Sequence, residues 1–184
     1  GEGEQKKAGE SNLTSKVIKP MKFIYQARIT DEFKYASEEK KIKYLQAYAD
    51  GFAKKIAVAF DIAAIHGLEP KSMTDASFRD TNSFDGVITD NVVVFNAGTI
   101  DENIDTAVQA IVAKGADVTG LALSPLAGQS LAKLKVNGVV QYPEFRFGQN
   151  PNSFYGMESD ISKNLVVTGG TAKADHVLVG DFRN

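Results

Sequence analysis

Few side chains in this chain lend themselves to chemistry. The 184 residues hold two histidines and no cysteine, which leaves the usual four-ligand zinc sets nearly unavailable. His66 ends a long periodic segment, where an imidazolium would face the negative end of a helix dipole and bond a free carbonyl. That capping role is expected of it rather than catalysis, because Asp61 sits earlier in the same segment and off its face. His176 alternates with Val177 in a strand pattern and is expected at the surface. The stretch Asp80-Thr81-Asn82-Ser83-Phe84-Asp85-Gly86 has part of a calcium-loop pattern. Its fifth position is Phe84, its glycine comes one residue late, and Asn91 stands where the bidentate Glu belongs, so a turn-rich loop is expected instead. Asp101, Glu102 and Asp105 cluster, but in the first turns of a helix, where carboxylates favour the dipole. Ser124 lacks the flanking glycines of a nucleophile elbow, Gly169-Gly170 lacks the Lys-Ser/Thr of a phosphate loop, and Gly1 and Gly3 follow no strand. No catalytic, cofactor-binding or metal-ligating residue is assigned from the sequence, and no enzymatic activity is expected.

The element that must position everything else runs over residues 37–70. Apolar side chains at Ile42, Leu45, Ala49, Phe52, Ile56, Phe60 and Ala63 recur at steps of three and four, the spacing of one helix face. Ser37 suits an N-cap, Glu38 and Glu39 fill the first turn, Gly67 suits the left-handed residue past the end, and Pro70 follows. At about 1.5 Å per residue the segment 38–66 reaches roughly 44 Å, far beyond an ordinary globular helix. Asp50-Gly51 marks a place where it can bend. The apolar stretch 57–65 is expected to be buried on several sides, and the Ile42, Leu45, Phe52, Ile56 and Phe60 face to pack on the rest of the chain. Lys54, Lys55 and Asp61 interrupt any membrane-length apolar run.

Around that helix the chain divides into four parts. Residues 1–12 carry a single Ala as their only apolar side chain and are expected to be mobile. Residues 13–36 hold an extended strand over 13–30, with Val17, Met21, Phe23, Tyr25, Ala27 and Ile29 on one side. Residues 37–91 hold the helix and a polar connection. Residues 92–184 read as a compact lobe: a strand at 92–95, a helix from a Thr99–Glu102 capping box to Gly115, and a strand at 118–123. A helix follows with Ser124 as N-cap and Pro125 at its first position, then a short strand near Val139, Val140 and Tyr142. An aromatic loop at 143–156 follows, and a hairpin pairing 165–167 with 176–179 through Gly169-Gly170 completes it. The loop gathers Phe145, Phe147, Phe154 and Tyr155, residues of the kind enriched at interface cores, and is expected to touch a neighbouring subunit. The composition, 43% hydrophobic and 24% charged with a net charge of −2, is that of a globular chain and argues against a general nucleic-acid-binding surface.

Residues 57–70, AVAFDIAAIHGLEP, resemble the end of the spine helix of tailed-bacteriophage major capsid proteins of the Hong Kong 97-like fold. That family closes this helix with a pattern matched by Ala59, Asp61, His66-Gly67 and Pro70. Further landmarks follow in order: Ser124-Pro125, Leu131 and Leu134-Lys135 before Gly138, Tyr142-Pro143, Phe154-Tyr155-Gly156-Met157, and Gly180-Asp181-Phe182. Glu158 and Val139 depart from the family pattern, which has Pro and Arg at the matching places. The resemblance implies an α+β fold in which 13–36 belong to the extended loop, 37–91 to the peripheral domain, and 92–184 form an axial domain with a mixed sheet. It further implies a non-enzymatic shell protein whose partners are itself, in hexamers and pentamers, with scaffold, protease and portal proteins. Such a shell encloses DNA without reading its sequence, in the virion and, during assembly, in the host bacterial cytoplasm. Relatives carry an arm and a first loop strand before, and peripheral strands after, the segment matched here. The chain, which begins GEGEQ without Met, is therefore expected to be a fragment that stays mainly monomeric. An encapsulin-like nanocompartment shell is the nearest alternative, and a small α/β hydrolase or ligand-binding module a more distant one.

Overall fold

The computed structural model describes residues 20–26 and 28–183. The mobile segment expected over 1–12, and residues 13–19 of the expected strand, lie outside these. Residues 20–26 and 28–30 form no strand. They run beside the long helix, where the Tyr25 ring meets those of Tyr48 and Phe52 at 5.4 and 5.8 Å. The Tyr25 carbonyl accepts from the Tyr48 hydroxyl at 3.2 Å. Among the described residues no strand lies beside them to supply a ladder, and aromatic packing on the helix takes its place.

A short helix α1 (Asp31–Lys34) precedes the long one, α2 (Glu38–Asp61), which continues without a break into a π-helical turn, Ile62–His66. Both predicted ends are observed. Ser37 accepts from the Lys40 N–H at 3.5 Å, and Gly67 takes φ 64° with its N–H returned to the Ala63 carbonyl at 3.1 Å. Gly51 is accommodated without ending the helix. The burial of its apolar face is not observed: α2 has no buried side chain, and Ile42 and Phe60 are each 56% exposed. Among the described residues, Tyr25 covers Tyr48 and Phe52 and Phe33 covers Tyr44, while Ile42, Leu45 and Phe60 are left exposed. Burial begins only in the π turn, at Ile62, Ala63 and His66. There Ile62 packs with Leu68, Val167 and Met73, the small cluster that joins the helix end to the rest.

Two short helices follow, α3 (Arg79–Asn82) and α4 (Phe84–Val87), in place of a loop without helices. Ser83 links them, donating to the Arg79 carbonyl and accepting from the Gly86 N–H. Residues 92–95 are not a strand: Val92 and Val94 are exposed, while Val93 and Phe95 are half-buried and Phe95 packs against the core. In α5 (Ile100–Val112) Thr99 is the N-cap by position, but its side chain makes no capping bond, so the expected capping box does not form. Asp101 accepts from the neighbouring Glu102 N–H instead.

The lobe is built on β1 (Gly120–Leu123), followed by α6 (Pro125–Lys133), whose N-cap Ser124 and N1 proline stand as predicted. A small hairpin comes next, β2 (Lys135–Val136) with β3 (Val139–Val140), and then a 3₁₀ helix, Pro143–Gly148. Another tight pair follows, β4 (Ser153–Phe154) with β5 (Met157–Ile161). The last strands are β6 (Val166–Val167), β7 (Lys173–Ala174) and β8 (Val177–Gly180). The expected hairpin of 165–167 with 176–179 is replaced by two pairings: β6 with β7, and β8 antiparallel to β1. The main sheet runs β4-β5-β1-β8, with β5 parallel to β1, so it is mixed. Ile100, Ile104, Leu121, Leu123, Leu131, Phe145 and Phe154 fill its core. Two of the four aromatic rings of 143–156 are therefore internal, while Phe147 and Tyr155 are 90% and 81% exposed. Among the described residues no helix is long and apolar enough to cross a membrane.

Candidate functional site

His66 is fully buried, and residues from three other segments converge on it. Nε2 lies 2.9 Å from the Asn164 carbonyl, which can only accept, so this nitrogen carries a proton. Nδ1 lies 3.2 Å from Asp85 Oδ2 in hydrogen-bond geometry and 3.0 Å from Asp175 Oδ2 in ion-pair contact. The His66 carbonyl-capping role expected from the sequence is thus replaced by a link across the fold. Asp61, expected to be uninvolved, joins through a bridge: its Oδ2 accepts from Asn164 Nδ2 at 2.7 Å.

Local sequence explains why these groups meet. Gly67 turns the chain with a positive φ, and a Cβ there would stand 2.6 Å from Ser83 Oγ and 2.8 Å from Arg79 Cα. Only glycine lets α3 and α4 lie this close to the helix end. Gly86 makes the same allowance between the two short helices, since a Cβ would overlap the Arg79 carbonyl. Asp85 is carried to His66 by this packing. Asn164 is placed by a 3₁₀ turn, Lys163–Leu165, whose Ser162 cap accepts from the Asn164 N–H. Asp175 is tied down by its own N–H, which donates to the Leu165 carbonyl at 3.0 Å.

The electrostatics follow from the geometry. Burial alone would drive His66 neutral, but the close approach of the Asp175 and Asp85 carboxylates and the bond to the Asn164 carbonyl outweigh it and raise its pKa to about 9. With no metal ion bound, these contacts favour the imidazolium near neutrality. Burial likewise works against the charge on Asp175, and the nearness and charge of His66 override it, holding that carboxyl below its ordinary value. Asp85, Asp175 and His176 line a cavity of about 430 Å³ between α4, α5 and β8. His66 itself sits behind the two carboxylates, away from any substrate of size.

His176 is partly buried rather than a surface residue. Its ring stacks on Phe95 at 4.1 Å, and its Nδ1 is 3.0 Å from Ser124 Oγ. A Ser–His contact invites comparison with nucleophilic catalysis. Here Ser124 is fully buried and its oxygen also accepts from the Ala127 N–H at 3.1 Å, the bond of an N-cap. The pair ties α6 to β8. Of the acidic cluster Asp101, Glu102 and Asp105, only Asp101 is drawn into a tertiary contact, accepting from the Tyr142 hydroxyl at 3.3 Å. Burial and the Asp101 charge raise Tyr142 to about 12. Sequence reasoning missed Asn164 and Asp175 as partners of His66 and weighed Asp85 only as a calcium-loop position.

No family model matches the chain, and no curated protein sequence does. Solved structures do. A chain from Mycobacterium phage Ogopogo superposes with a TM-score of 0.63 at 25% identity, over 84% of this chain and 54% of that one. A chain from Gordonia phage Cozz superposes with a TM-score of 0.62 at 16% identity, over 94% of this chain and 61% of that one. The chain is a mixed α+β protein similar in structure to phage proteins, and it spans less than two thirds of either phage chain.

Proposed function

We propose that this chain is part of a major capsid protein of the Hong Kong 97-like fold, a shell subunit whose work is assembly. The observation that carries this reading is α2: a helix of 24 residues with no buried side chain, presenting Ile42, Leu45, Phe52, Val58 and Phe60 to solvent. A lone globular protein gains nothing from a rod that leaves large apolar side chains wet, since burying each is worth about 1.5–3 kcal/mol. A shell subunit does, because its neighbours provide the cover. The exposed Phe147 and Tyr155 support the same reading at the other end of the molecule, and the likeness to phage chains is in keeping with it. In this role the partners are further copies, in hexamers and pentamers, and the contents are DNA held without sequence recognition.

Expression of the coding sequence that contains this chain, followed by negative-stain microscopy and nuclease-protection assays, tests the proposal. Uniform closed particles able to package nucleic acid are expected. Closed particles filled with protein cargo would move the assignment to a nanocompartment shell. A product that never assembles, alone or with its neighbouring gene products, would overturn it.

A further inference from the structure

We propose that His66 Nδ1, one oxygen of Asp85 and one of Asp175 form a divalent-cation site suited to Zn²⁺, which would clamp the end of the long helix to the lobe. The inference stands apart from the capsid reading and rests on four observations. The first is spacing. A tetrahedral zinc ion holds nitrogen and oxygen ligands at about 2.0–2.2 Å, which places neighbouring ligand atoms about 3.3 Å apart. Here Nδ1 is 3.2 Å from Asp85 Oδ2 and 3.0 Å from Asp175 Oδ2, and the three ligand groups all lie within 4.8 Å of one another.

The second is the imidazole's orientation. Nε2 donates to the Asn164 carbonyl, the outer contact that fixes a ligating histidine's tautomer and turns the other nitrogen's lone pair toward the ion. The third is an unanswered oxygen: Asp175 Oδ2 is buried and no donor is aligned with it. A single N–H on Nδ1 can be directed at one carboxylate only, whereas an ion among the three groups satisfies both. The fourth is access. Asp85 and Asp175 line the 430 Å³ cavity, which gives a cation a way in and leaves room for water as a further ligand. Two carboxylates neutralise a divalent charge. One imidazole nitrogen among so few ligands suits zinc better than calcium, which takes six to eight oxygens.

The competing occupant is a proton on Nδ1, and the experiment separates the two. Zinc chloride is titrated into the chelator-treated chain, followed by calorimetry and by long-range ¹H–¹⁵N spectra of the two imidazoles. The expected result is one equivalent bound, a Tm that rises with zinc concentration, and a shift at His66 Nδ1 with Nε2 still protonated. Asp175→Asn should weaken binding about tenfold or more with unchanged circular dichroism. Absence of saturable binding, an Nδ1 proton that persists at saturating zinc, or a shift confined to His176 would each overturn the proposal. If Asp175→Asn fails to fold, the wild-type spectra decide alone. Particle formation has no bearing on this readout, so failure here and failure of the capsid reading are distinguishable.

Discussion

The 24-residue α2 buries none of its side chains, while the nine-residue α6 buries Ala127, Gly128, Ser130 and Leu131. Both helices carry an apolar stripe, and α2 carries the longer one. An amphipathic pattern therefore records that a face will be covered without saying by what. In α6 the cover is local: Phe145, Phe154 and the β1 side chains Leu121 and Leu123 belong to the same core. In α2 the cover among the described residues is partial: Tyr25 lies on Tyr48 and Phe52 and Phe33 on Tyr44, and Ile42, Leu45 and Phe60 are left exposed. The two helices are held by different means, and substitutions should separate them.

The largest effect is expected in the lobe. Phe145 is buried and its ring meets that of Phe154 at 5.7 Å. Phe145→Ala should destabilise the chain by about 3–5 kcal/mol, through lost burial and the cavity left behind. Urea denaturation followed by circular dichroism measures it, and a midpoint unchanged from the parent would show that this ring is not a core residue.

The joint between the regions should respond to pH. His66 holds its proton more tightly folded than unfolded, with a pKa near 9 against the ordinary 6.5. In metal-free buffer the associated stability is fully present below pH 6.5 and is lost as pH rises through about 9, a total of about 3 kcal/mol. At the acid end Asp175, whose folded pKa is lowered, gives stability that fades as it takes up its proton below the ordinary carboxylate range. Unfolding midpoints at pH 6, 8 and 10 should fall in that order, and His66→Gln should flatten the alkaline slope. A wild-type profile as flat as that variant's would contradict the buried imidazolium.

Ser124 tests a smaller contribution. Its oxygen caps α6 and bonds His176, so Ser124→Ala should cost about 0.5–2 kcal/mol. Ser124→Thr, which keeps the hydroxyl, should recover part of that loss in the same denaturation assay.

What was legible in the sequence was local. Ser37, Gly67 and the Ser124-Pro125 pair announce helix ends because the capping chemistry lies within a few residues. The strand partners were not legible. Residues 165–167 and 176–179 look like two arms of a hairpin, but β8 gains more by pairing with β1 at the centre of the sheet, and β7 takes its place beside β6. Strand β5 was hidden because Glu158 and Asp160 dilute its apolar signal, while the inward Ser159 satisfies its hydroxyl on the Pro151 carbonyl. The His66 cluster was hidden for a related reason: its partners lie 19 and 98 residues away for Asp85 and Asn164. No periodicity connects such positions. The pattern at Phe60 predicts burial because it names a face and leaves the burying partner unstated.

Phe60 gives the smallest expected effect on stability and the sharpest test of the contrast. Its side chain lies on α2, 56% exposed, just before the π turn where burial begins. In the isolated chain Phe60→Ala should change stability by no more than about 0.5 kcal/mol, as an exposed substitution does. Phe60→Asp should be tolerated nearly as well, with allowance for a carboxylate near the helix's negative end. Under the shell-subunit reading the same changes should weaken association between copies, because the lost ring would no longer fill a neighbour's surface. Urea midpoints and sedimentation velocity over a range of concentrations measure the two effects on one preparation. A loss of several kcal/mol in the monomer would show that α2 is covered from within the chain after all. Unchanged midpoint and unchanged association together would leave the exposed stripe without an assembly role and remove the main support for the proposed function.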